Sequence, residues 1–325
     1  MKKVAVVIVN FNSGALLRRC LAAVRRQRRV PDRVIVVDNA STDGSLESAE
    51  AEWPGLVVLR LDDNVGFAAA NNRGLEHCAD CDWAALLNPD AFPQPGWLEA
   101  LLDAAADLPG AGSFASCLIM DEDNSRLDGI GDAYHVSGLV WRIGHGRPRP
   151  SEQVRREVFA ACAAAAMYRV EALRDIGGFD ESYFCYNEDV DVGFRLRLRG
   201  LRCWYVPEAV VHHVGSAVTG RHSDFSLFHG HRNLVWTFFK NMPTGLLLRF
   251  MWQHLLLNLV TLLVLSVQYR TTAVLRAKMS AVRGLPGALR QRRRIQTSRT
   301  AINAELLNAM TRGWWRCYFQ RGLID

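Results

Sequence analysis

Apolar and polar residues in the first 90 positions follow two periodicities, one typical of buried strands and one typical of helices. Short aliphatic runs predict strands buried on both faces at residues 4–9, 34–37, 56–61 and 83–87. Segments with helical spacing lie between them at residues 16–24, 45–52 and 66–77. Asn64 is a candidate N-cap for the last of these helices. Regular alternation of strand and helix predicts an α/β fold with a mostly parallel, doubly wound sheet.

Polar residues follow the predicted strands at the point where each strand ends. They include Asn10 and Asn12 after the first strand, Asp38 after the second, and Asn88 and Asp90 after the fourth. Any one of these segments is also a normal turn sequence, since Asn, Asp and Pro favour turns for local backbone reasons. In a doubly wound sheet, however, ligands bind at the carboxyl ends of the strands. Several polar loops at one edge therefore predict a ligand site there.

The pattern is less regular after residue 112. The sequence SGLVWRIGHGRPRP at 137–150 predicts a hairpin followed by a flexible basic loop. The small apolar segment 158–167 is compatible with a strand or with a closely packed helix. Residues 189–199 have helical spacing, and residues 203–206 predict another short strand.

Residues 243–270 form an apolar segment whose polar residues fall on one side of a helix. Its cleanest stretch, 255–267, is shorter than the ~20 apolar residues that a membrane span needs. The polar sector contains Gln253, His254, Asn258, Thr261 and Gln268. One apolar face, followed by Arg290, Arg292, Arg293 and Arg294, is typical of a helix that lies in a membrane interface. A helical subdomain packed on the body and a true span are the alternatives.

Charge is distributed unevenly along the 325 residues. Residues 232–325 contain 15 Lys or Arg against two acids, whereas residues 1–231 contain 24 basic and 31 acidic residues. A basic tail predicts an anionic partner, and without a nucleic-acid-binding motif a membrane surface is favoured over nucleic acid. Cys78 and Cys81 lack a second ligand pair at zinc spacing. No signal peptide is visible, so we expect a cytoplasmic protein, peripheral on the inner face of the cell membrane.

The residues that can carry chemistry are acids, amides and histidines. The sequence contains no GxGxxG after its first strand and no GxxxxGK[ST]. Asp38, at a strand end, is suited to accept a hydrogen bond from a nucleobase. Asp90 is a candidate ligand for a divalent cation that neutralises a nucleoside diphosphate, and the carbonyl oxygen of Asn88 is a further candidate ligand.

A second group of acids, Glu188, Asp189 and Asp191, begins a predicted helix. Acids at a helix start also suit the helix dipole, which is the structural alternative. Four aromatic residues flank the group: Phe179, Tyr183, Phe184 and Tyr186. They predict a partly desolvated cleft in which an acid serves as general base. Adjacent residues on a strand point to opposite faces, so only one of His212 and His213 should face this site.

Six segments, in this order, resemble the motifs of bacterial glycosyltransferase family 2: VVIVNFNSG, VVDNASTDGS, NVGFAAANN, LLNPDA, GGFDESYFCYNEDVD and VHHVGS. The chain is most similar, over about residues 3–235, to the rhamnosyltransferase-like branch, which builds surface polysaccharides and lipopolysaccharide. The resemblance implies a GT-A fold, a nucleotide-sugar donor, Mg²⁺ or Mn²⁺, and inversion at the anomeric carbon. We therefore divide the chain into a GT-A catalytic domain at 1–235 and a basic, amphipathic helical C-terminal region at 236–325.

The resemblance also implies roles for individual residues. Asp189, in the Glu188-Asp189 pair, would be the catalytic base. Asp90 matches the second acid of the DXD signature, and His213, with His212 as the fallback, matches the histidine of the metal site. The first acid of DXD is Asn88 here, which removes one charge from that site. The other residues matched to donor binding are Asn10, Asn12, Asp38, Asn64, Gly66 and Asn72.

The resemblance implies transfer of a sugar to a hydroxyl of a cell-surface glycan or a polyprenyl-diphosphate-linked acceptor, and it favours dTDP-L-rhamnose as donor. A sugar-phosphate nucleotidyltransferase would share the sheet, the nucleotide and the metal. It normally has a Gly-rich basic loop after the first strand, where this chain has NFNSGALLRR with one glycine. A non-catalytic, membrane-associated nucleotide-sugar-binding protein is the second alternative, and the intact Glu188-Asp189 pair argues against it.

Overall fold

The computed structural model of the chain describes residues 2–313 apart from 52, 54, 152, 153 and 216–222. Its centre is a mixed, mostly parallel β-sheet. The N-terminal strands are β1 (Val4–Asn10), β2 (Arg33–Asp38), β3 (Val57–Arg60) and β4 (Trp83–Leu87). They pair in parallel in the order β4-β1-β2-β3. These strands confirm the predicted N-terminal half of the sheet.

The sheet continues beyond β4 with strands of both directions. These are β5 (Ala91–Pro93), β6 (Ala111–Met120), β7 (Leu127–Gly129), β10 (Arg156–Val158), β11 (Ala165–Arg169) and β12 (Arg202–His213). β11 is antiparallel to both β4 and β6, whereas β6 and β12 are parallel. A separate hairpin consists of β8 (Asp132–Tyr134) and β9 (Val140–Arg142). It begins before the segment 137–150 in which a hairpin was predicted, and that segment contains only its second strand.

Helices cover both faces of the sheet. α1 (Ala15–Arg25), α2 (Ser45–Glu50) and α4 (Trp97–Asp107) pack on the face that contains Val4, Val6 and Ile8. α3 (Phe67–Glu76), α5 (Val170–Asp175) and α6 (Glu188–Leu198) pack on the face that contains Ala5 and Val7. Both faces of β1 are buried, which explains its unbroken aliphatic sequence. The predicted doubly wound α/β arrangement is confirmed.

A group of helices follows the sheet in the described part of the chain: α7 (Asp224–Asn241), α8 (Thr244–Gln268), α9 (Ala273–Thr297) and α10 (Asn303–Ala309). α7 packs against both α6 and α9 and so joins these helices to the layer on the sheet. The predicted domain boundary after residue 235 falls within α7, and it stays a prediction.

Three segments refine the sequence interpretation. β12 continues well past residue 206, because the chain passes Pro207 and Glu208 in an irregularity between Val206 and Val210 and then pairs with β6 again. The basic segment after the β8–β9 hairpin is tied to β7, since Leu127 and the 146–147 backbone exchange hydrogen bonds of 2.9 Å. The prediction of a flexible loop there is therefore wrong. Residues 159–164 form no helix and lead into β11.

α8 turns its polar side toward the protein and its apolar side outward. His254 is buried, lies 2.8 Å from the Ser137 carbonyl oxygen and stacks on Phe238 at a centroid distance of 3.9 Å. Asn258 Oδ1 accepts a hydrogen bond of 2.5 Å from Lys278 on α9. Among the helices in the described residues, α8 is long and apolar enough to cross a membrane, with a mean hydropathy of 1.7. Its exposed side consists of Leu248, Trp252, Leu255, Leu256, Leu259, Val260, Leu263, Val264 and Val267.

Candidate functional site

A cleft of about 860 Å³ lies at the carboxyl ends of the parallel strands. Val9 at the end of β1, Asn39 after β2 and Asn88 after β4 contribute to its lining. These positions meet because β1, β2 and β4 run in the same direction. Asp90 and Asp189, from distant parts of the sequence, both line this cleft. The edge predicted from the polar strand ends is therefore the edge at which the cleft lies.

Asn10 and Asp38 are the centre of a hydrogen-bond network behind the cleft. The side-chain amide of Asn10 donates to Asp38 Oδ1 at 2.8 Å and to the hydroxyl of Ser41 at 3.0 Å. Asn12 Oδ1 accepts from the backbone amide of Thr42 at 2.8 Å. Asn10, Asn12 and Asp38 are not among the described residues that line the cleft. In this structure their hydrogen bonds fix the conformation of the loop after β2. Direct contact of these residues with the donor stays a prediction.

Asn64 and Gly66 line the cleft just before α3. Asn64 Oδ1 accepts from the Gly66 amide at 3.0 Å and from the side chain of Asn39 at 2.8 Å. Gly66 is the N-cap residue and has a φ of 86°, and Asn64 makes no capping bond to the helix amides. The predicted cap at Asn64 is thus wrong, because its side chain instead fixes the turn that precedes the helix.

Asn72, on α3, binds another part of the chain. Its side-chain amide donates to the Phe179 carbonyl at 2.9 Å, and its Oδ1 accepts from the Phe179 amide at 2.8 Å. Asn72 is not among the described residues that line the cleft. Asn72 therefore links α3 to the loop that leads to α6 through two hydrogen bonds.

Asp90, His213 and Asp128 form a chain of buried polar side chains along the cleft. His213 Nε2 lies 3.3 Å from Asp90 Oδ1, and His213 Nδ1 lies 2.7 Å from Asp128 Oδ2. His213 lines the cleft, whereas the Nε2 atom of His212 lies 3.1 Å from the side-chain nitrogen of Gln94. Alternation along β12 therefore directs His213 to the cleft.

The charges of Asp90, His213 and Asp128 shift one another's pKa values so that the charged forms are favoured. Burial raises the pKa of Asp90, but the hydrogen bond and the charge of His213 outweigh burial and leave the pKa below its usual value. Burial lowers the pKa of His213, whereas hydrogen bonds to Asp128 and Asp90 raise it to about 9. Without a cation, a protonated imidazole therefore lies between two carboxylates, and a bound cation would have to replace the proton on Nε2.

Asn88 and His213 are the further candidate ligands beside Asp90. Within the part of the chain that the structure describes, Asn88 Oδ1 is buried and has no hydrogen-bond partner, and His213 Nε2 lies 3.3 Å from Asp90 Oδ1. Together with Asp90 Oδ1 they offer oxygen and imidazole donors, which suit Mg²⁺ or Mn²⁺. Asp128 holds Nδ1 of His213, an arrangement that fixes a ligating histidine with Nε2 toward the ion. These residues fit a divalent cation.

Asp189 and Glu188 begin α6 at another part of the same cleft. Asp189 Oδ2 accepts from the Ala163 amide at 3.0 Å, and Asp189 Oδ1 accepts from the Val190 amide at 2.8 Å. Burial raises the pKa of Asp189, and these two amides oppose the shift. Burial and the charge of Asp189 raise the pKa of Glu188 well above its usual value. Asp189 is therefore the better held carboxylate and Glu188 the more readily protonated one.

Asp132, Arg142 and Cys162 belong to the site but were not identified from the sequence. The ligand atoms of Asp132, Cys162 and Asp189 lie within 4.8 Å of one another. Arg142 donates to Cys162 Sγ at 2.9 Å and to Asp128 Oδ2 at 2.7 Å, so a guanidinium already supplies a cation here. Burial, assisted by the charge of Asp189, raises the pKa of Asp132 to about 8. The acids and glycines of LDGIGDAY at 127–134 were the available sequence signal.

The sequence profile of the family described as Glycosyl transferase family 2 matches residues 5–177. The chain belongs to this family. It is 34% identical over 241 residues to N-acetylglucosaminyl-diphospho-decaprenol L-rhamnosyltransferase of Mycobacterium tuberculosis, which covers 66% of this chain and 77% of that protein. It is also 34% identical over 217 residues to pre-mycofactocin glycosyltransferase of the same organism, which covers 65% of this chain and 43% of that protein.

Solved structures agree with the fold of this family 2 glycosyltransferase. The mannosyltransferase PcManGT from Pyrobaculum calidifontis, in complex with GDP-Man and Mn²⁺, has a TM-score of 0.55 and 21% identity, covering 95% of this chain and 86% of that one. GalNAc-T7 with UDP, GalNAc and Mn²⁺ has a TM-score of 0.60 and 17% identity, covering 73% of this chain and 47% of that one. The GT-A fold implied by the motifs is confirmed.

Family membership also confirms that the chain is a glycosyltransferase. It removes the sugar-phosphate nucleotidyltransferase and the non-catalytic binding protein as interpretations. The roles of individual site residues stay predictions, and the geometry above is what supports them.

Proposed function

We propose that this family 2 glycosyltransferase moves a sugar, with L-rhamnose favoured, from a nucleoside-diphosphate sugar to a hydroxyl of a lipid-linked acceptor. The observation that carries the proposal is the single cleft lined by both Asp90 and Asp189. Similarity to an L-rhamnosyltransferase whose name specifies a diphospho-decaprenol acceptor supports the choice of sugar and lipid. dTDP-L-rhamnose and a polyprenyl-diphosphate-linked sugar are therefore the substrates to test first.

Asp189 is the general base in this proposal. It takes the proton of the acceptor hydroxyl, and that oxygen attacks the anomeric carbon from the face opposite the leaving group. The glycosidic bond forms while the bond from the anomeric carbon to the diphosphate oxygen breaks, and its electron pair leaves with the nucleoside diphosphate. The configuration at the anomeric carbon inverts. A raised pKa suits Asp189 to this proton transfer, because a base works best when its pKa approaches the working pH.

Replacing Asp189 with Asn tests the base directly. We expect transfer to fall by about 10²–10⁴-fold, the usual contribution of a positioned base, while the affinity for the donor is retained. Product formation and nucleotide-sugar binding are measured on the same preparation. Glu188→Gln is the companion variant, and we expect a smaller loss because Gln copies the neutral form that burial favours. If Asp189→Asn loses donor binding together with transfer, Asp189 has a structural role instead.

Asp90, His213 and Asn88 would hold Mg²⁺ or Mn²⁺, and the bound ion would supply positive charge for the diphosphate. Asp90→Ala removes the anionic ligand, so we expect donor affinity measured calorimetrically in Mn²⁺ to fall by about tenfold or more. A chelator should lower the wild-type affinity to a similar level and have little effect on the variant. Asp62→Ala changes an exposed acid and is the control. Equal affinities for all proteins with and without chelator would reject the metal role.

A membrane surface is the partner that we propose for the C-terminal helices. The outward side of α8 is apolar, and α9 exposes Leu275, Met279, Val282 and Leu289 beside it. Exposed arginines follow along α9: Arg276, Arg283, Arg290, Arg293 and Arg294. Apolar side chains next to arginines suit the boundary between acyl chains and anionic headgroups. Arg292, part of the predicted cluster, instead donates to the Phe239 carbonyl at 2.9 Å.

The orientation of α8 supports peripheral attachment in this proposal. Its polar sector contacts the rest of the protein through His254 and Asn258, so the helix packs as part of the helical layer. A helix that spanned the bilayer would have to give up these contacts. We therefore propose that α8 lies along the membrane, on the cytoplasmic face that is expected from the sequence.

A further inference from the structure

The loop that leads into α6 contains three non-glycine residues with positive φ. The φ angles are 64° at Phe184, 70° at Tyr186 and 63° at Asn187. Non-glycine residues rarely adopt this conformation, and they persist in it only where surrounding contacts fix them, most often at functional sites. The next two residues are Glu188 and Asp189.

α7 supplies contacts that fix this loop. The fully buried side-chain amide of Asn233 donates to three loop carbonyls, at 3.0 Å to Tyr183, 2.9 Å to Cys185 and 2.7 Å to Tyr186. Asn187 Nδ2 donates to the Gly230 carbonyl of α7 at 3.0 Å. The loop conformation is therefore built into the fold before any ligand binds.

The fixed loop presents aromatic rings to the cleft. Phe184 and Tyr186 from the loop and Phe225 from α7 all line the cleft, and we name them the aromatic wall. Ring centroids are 6.1 Å apart for Phe184 and Phe225 and 6.2 Å apart for Tyr186 and Phe225. His229 stacks on Phe184 at 5.4 Å. Phe225 is 38% exposed, so part of the wall is open to a ligand.

The surroundings of the aromatic wall are unsuited to a phosphate. Glu188 and Asp189 adjoin it in the chain. Arg232 donates to the carbonyls of Ser182 at 3.2 Å and Tyr183 at 2.7 Å, so its guanidinium is already engaged. Burial, together with the charge of Arg232, lowers the pKa of His229 to about 4, which keeps this ring neutral. A diphosphate is better matched by Asp90 and His213 with a cation, whereas an uncharged ring is better matched by aromatic faces.

We propose that the aromatic wall is the subsite for the sugar ring of the acceptor. The ring lies against Phe225 and Tyr186, and the hydroxyl that is to be glycosylated is directed toward Asp189. Asp189 must meet the acceptor hydroxyl, so the part of the cleft that flanks this residue belongs to the acceptor. This inference rests on the proposed function and adds to it the group that the acceptor site recognises.

The test compares the KM of wall variants for an acceptor that carries one sugar. This acceptor is N-acetylglucosaminyl diphosphate on a short polyprenyl chain. Phe225→Ala removes an exposed ring, and we expect the KM for this acceptor to rise about tenfold while the KM for the donor is unchanged. Phe225→Trp should restore the wild-type KM because it restores an aromatic face. Phe228→Ala, which removes a ring from α7 outside the described cleft lining, is the matched control and should leave both constants unchanged.

Polyprenyl phosphate without a sugar is the second probe. It should inhibit the wild type and Phe225→Ala equally, because the wall binds the sugar and not the lipid. Weaker inhibition of Phe225→Ala would show that the wall holds the lipid chain and would overturn the proposal. An unchanged acceptor KM in both Phe225→Ala and Tyr186→Ala would also overturn it. Absence of transfer by the wild type with every nucleotide sugar would instead reject the proposed function, and this subsite with it.

Discussion

Two carboxylates, the buried Asp132 and the half-buried Asp189, share one region of the cleft, and their charges depend on each other. Burial raises the pKa of both, and the charge of Asp189 contributes to the value of about 8 at Asp132. Arg142 is the nearby cation, and Asp128 and Cys162 hold its guanidinium. Two amides, from Ala163 and Val190, stabilise the charged form of Asp189, whereas burial and the charge of Asp189 raise the pKa of Asp132 to about 8. Asp132 is therefore the group whose charge we expect to change near pH 8.

The pH dependence of the reaction follows from this pair. As the pH rises through about 8, Asp132 loses its proton and adds a negative charge to the cleft that the anionic donor is proposed to enter, so we expect kcat/KM for the donor to fall. Asp132→Asn keeps the position neutral at every pH. The descending limb should therefore move to higher pH, while the rate near neutrality stays close to that of the wild type.

The measurement is kcat/KM from neutral to basic pH for the wild type and Asp132→Asn. Glu122→Gln, which neutralises an exposed acid before β7, should retain the wild-type profile. A descending limb at the same pH in wild type and Asp132→Asn would show that Asp132 does not control it.

Sequence reasoning identified Asp90, Asp189 and His213 because each lies in a regular element or in a motif with a defined order. It missed Asp128 and Asp132, which lie in the three-residue strands β7 and β8. A strand this short has too little periodicity to be recognised from the sequence, and spacing does not show which of its side chains reach the cleft. Asn10 and Asn72 show the opposite case, since both occupy expected positions but use their amides internally.

At the scale of elements, the turn before α3 and the loop before α6 meet at one close contact. A Cβ atom added to Gly66 would lie 2.5 Å from Phe184 Cδ2 and 2.7 Å from the Phe184 carbonyl oxygen. The Ala68 amide donates to that same carbonyl at 3.2 Å. Gly66 is thus required both for its positive φ and for the space that it leaves. The proposed donor side and the proposed base side of the cleft are joined through this contact.

Gly66→Ala should lower kcat because the added methyl displaces Phe184 and the loop that leads to Asp189 on α6. Gly177→Ala is the matched control, since Gly177 has a similar φ of 81° but no atom within 4 Å of the added Cβ. Both variants should lose roughly 1 kcal/mol or more of unfolding free energy from backbone strain. Chemical denaturation and steady-state kinetics separate the two effects. Equal kcat values in the two variants would contradict the contact between the turn and the loop.

Most helices and strands could be predicted because the spacing of apolar residues within each segment is enough to identify it. β12 was predicted too short, since Pro207 and Glu208 are typical of a strand end and the recovery of pairing after the bulge depends on the neighbouring β6. The segment 159–164 could not be assigned for a related reason, because small apolar residues fit a strand and a helix equally well until a partner is known.

At the scale of the whole molecule, the outer side of α8 exposes a row of leucine and valine side chains. Leu255→Gln together with Leu263→Gln places amides on that side, and we expect co-sedimentation with phosphatidylglycerol-containing vesicles to fall about tenfold or more. Val30→Gln changes an apolar residue of comparable exposure, 64%, before β2 and should bind as the wild type does.

A second pair of variants tests the charge on α9. Arg283→Glu with Arg290→Glu should reduce binding to vesicles that contain phosphatidylglycerol and have little effect on pure phosphatidylcholine. If the wild type binds to none of the vesicle compositions, the proposal of a membrane partner is wrong.

The sequence identified the polar sector of α8 but not the side that faces the protein. A helical wheel shows which residues share a side, and only the positions of α7 and α9 determine what covers that side. His254 and Asn258 therefore became internal contacts, and the leucines became the outer surface.

α7 has one further consequence. Its first half contributes Phe225 and Gly230 to the cleft, and the same helix packs along α9, which adjoins the proposed lipid side. A substrate anchored in the leaflet would then find the enzyme by lateral diffusion in two dimensions. Turnover should follow the number of acceptor molecules per unit area of bilayer, so diluting them with inert lipid would slow the reaction even at a constant total amount.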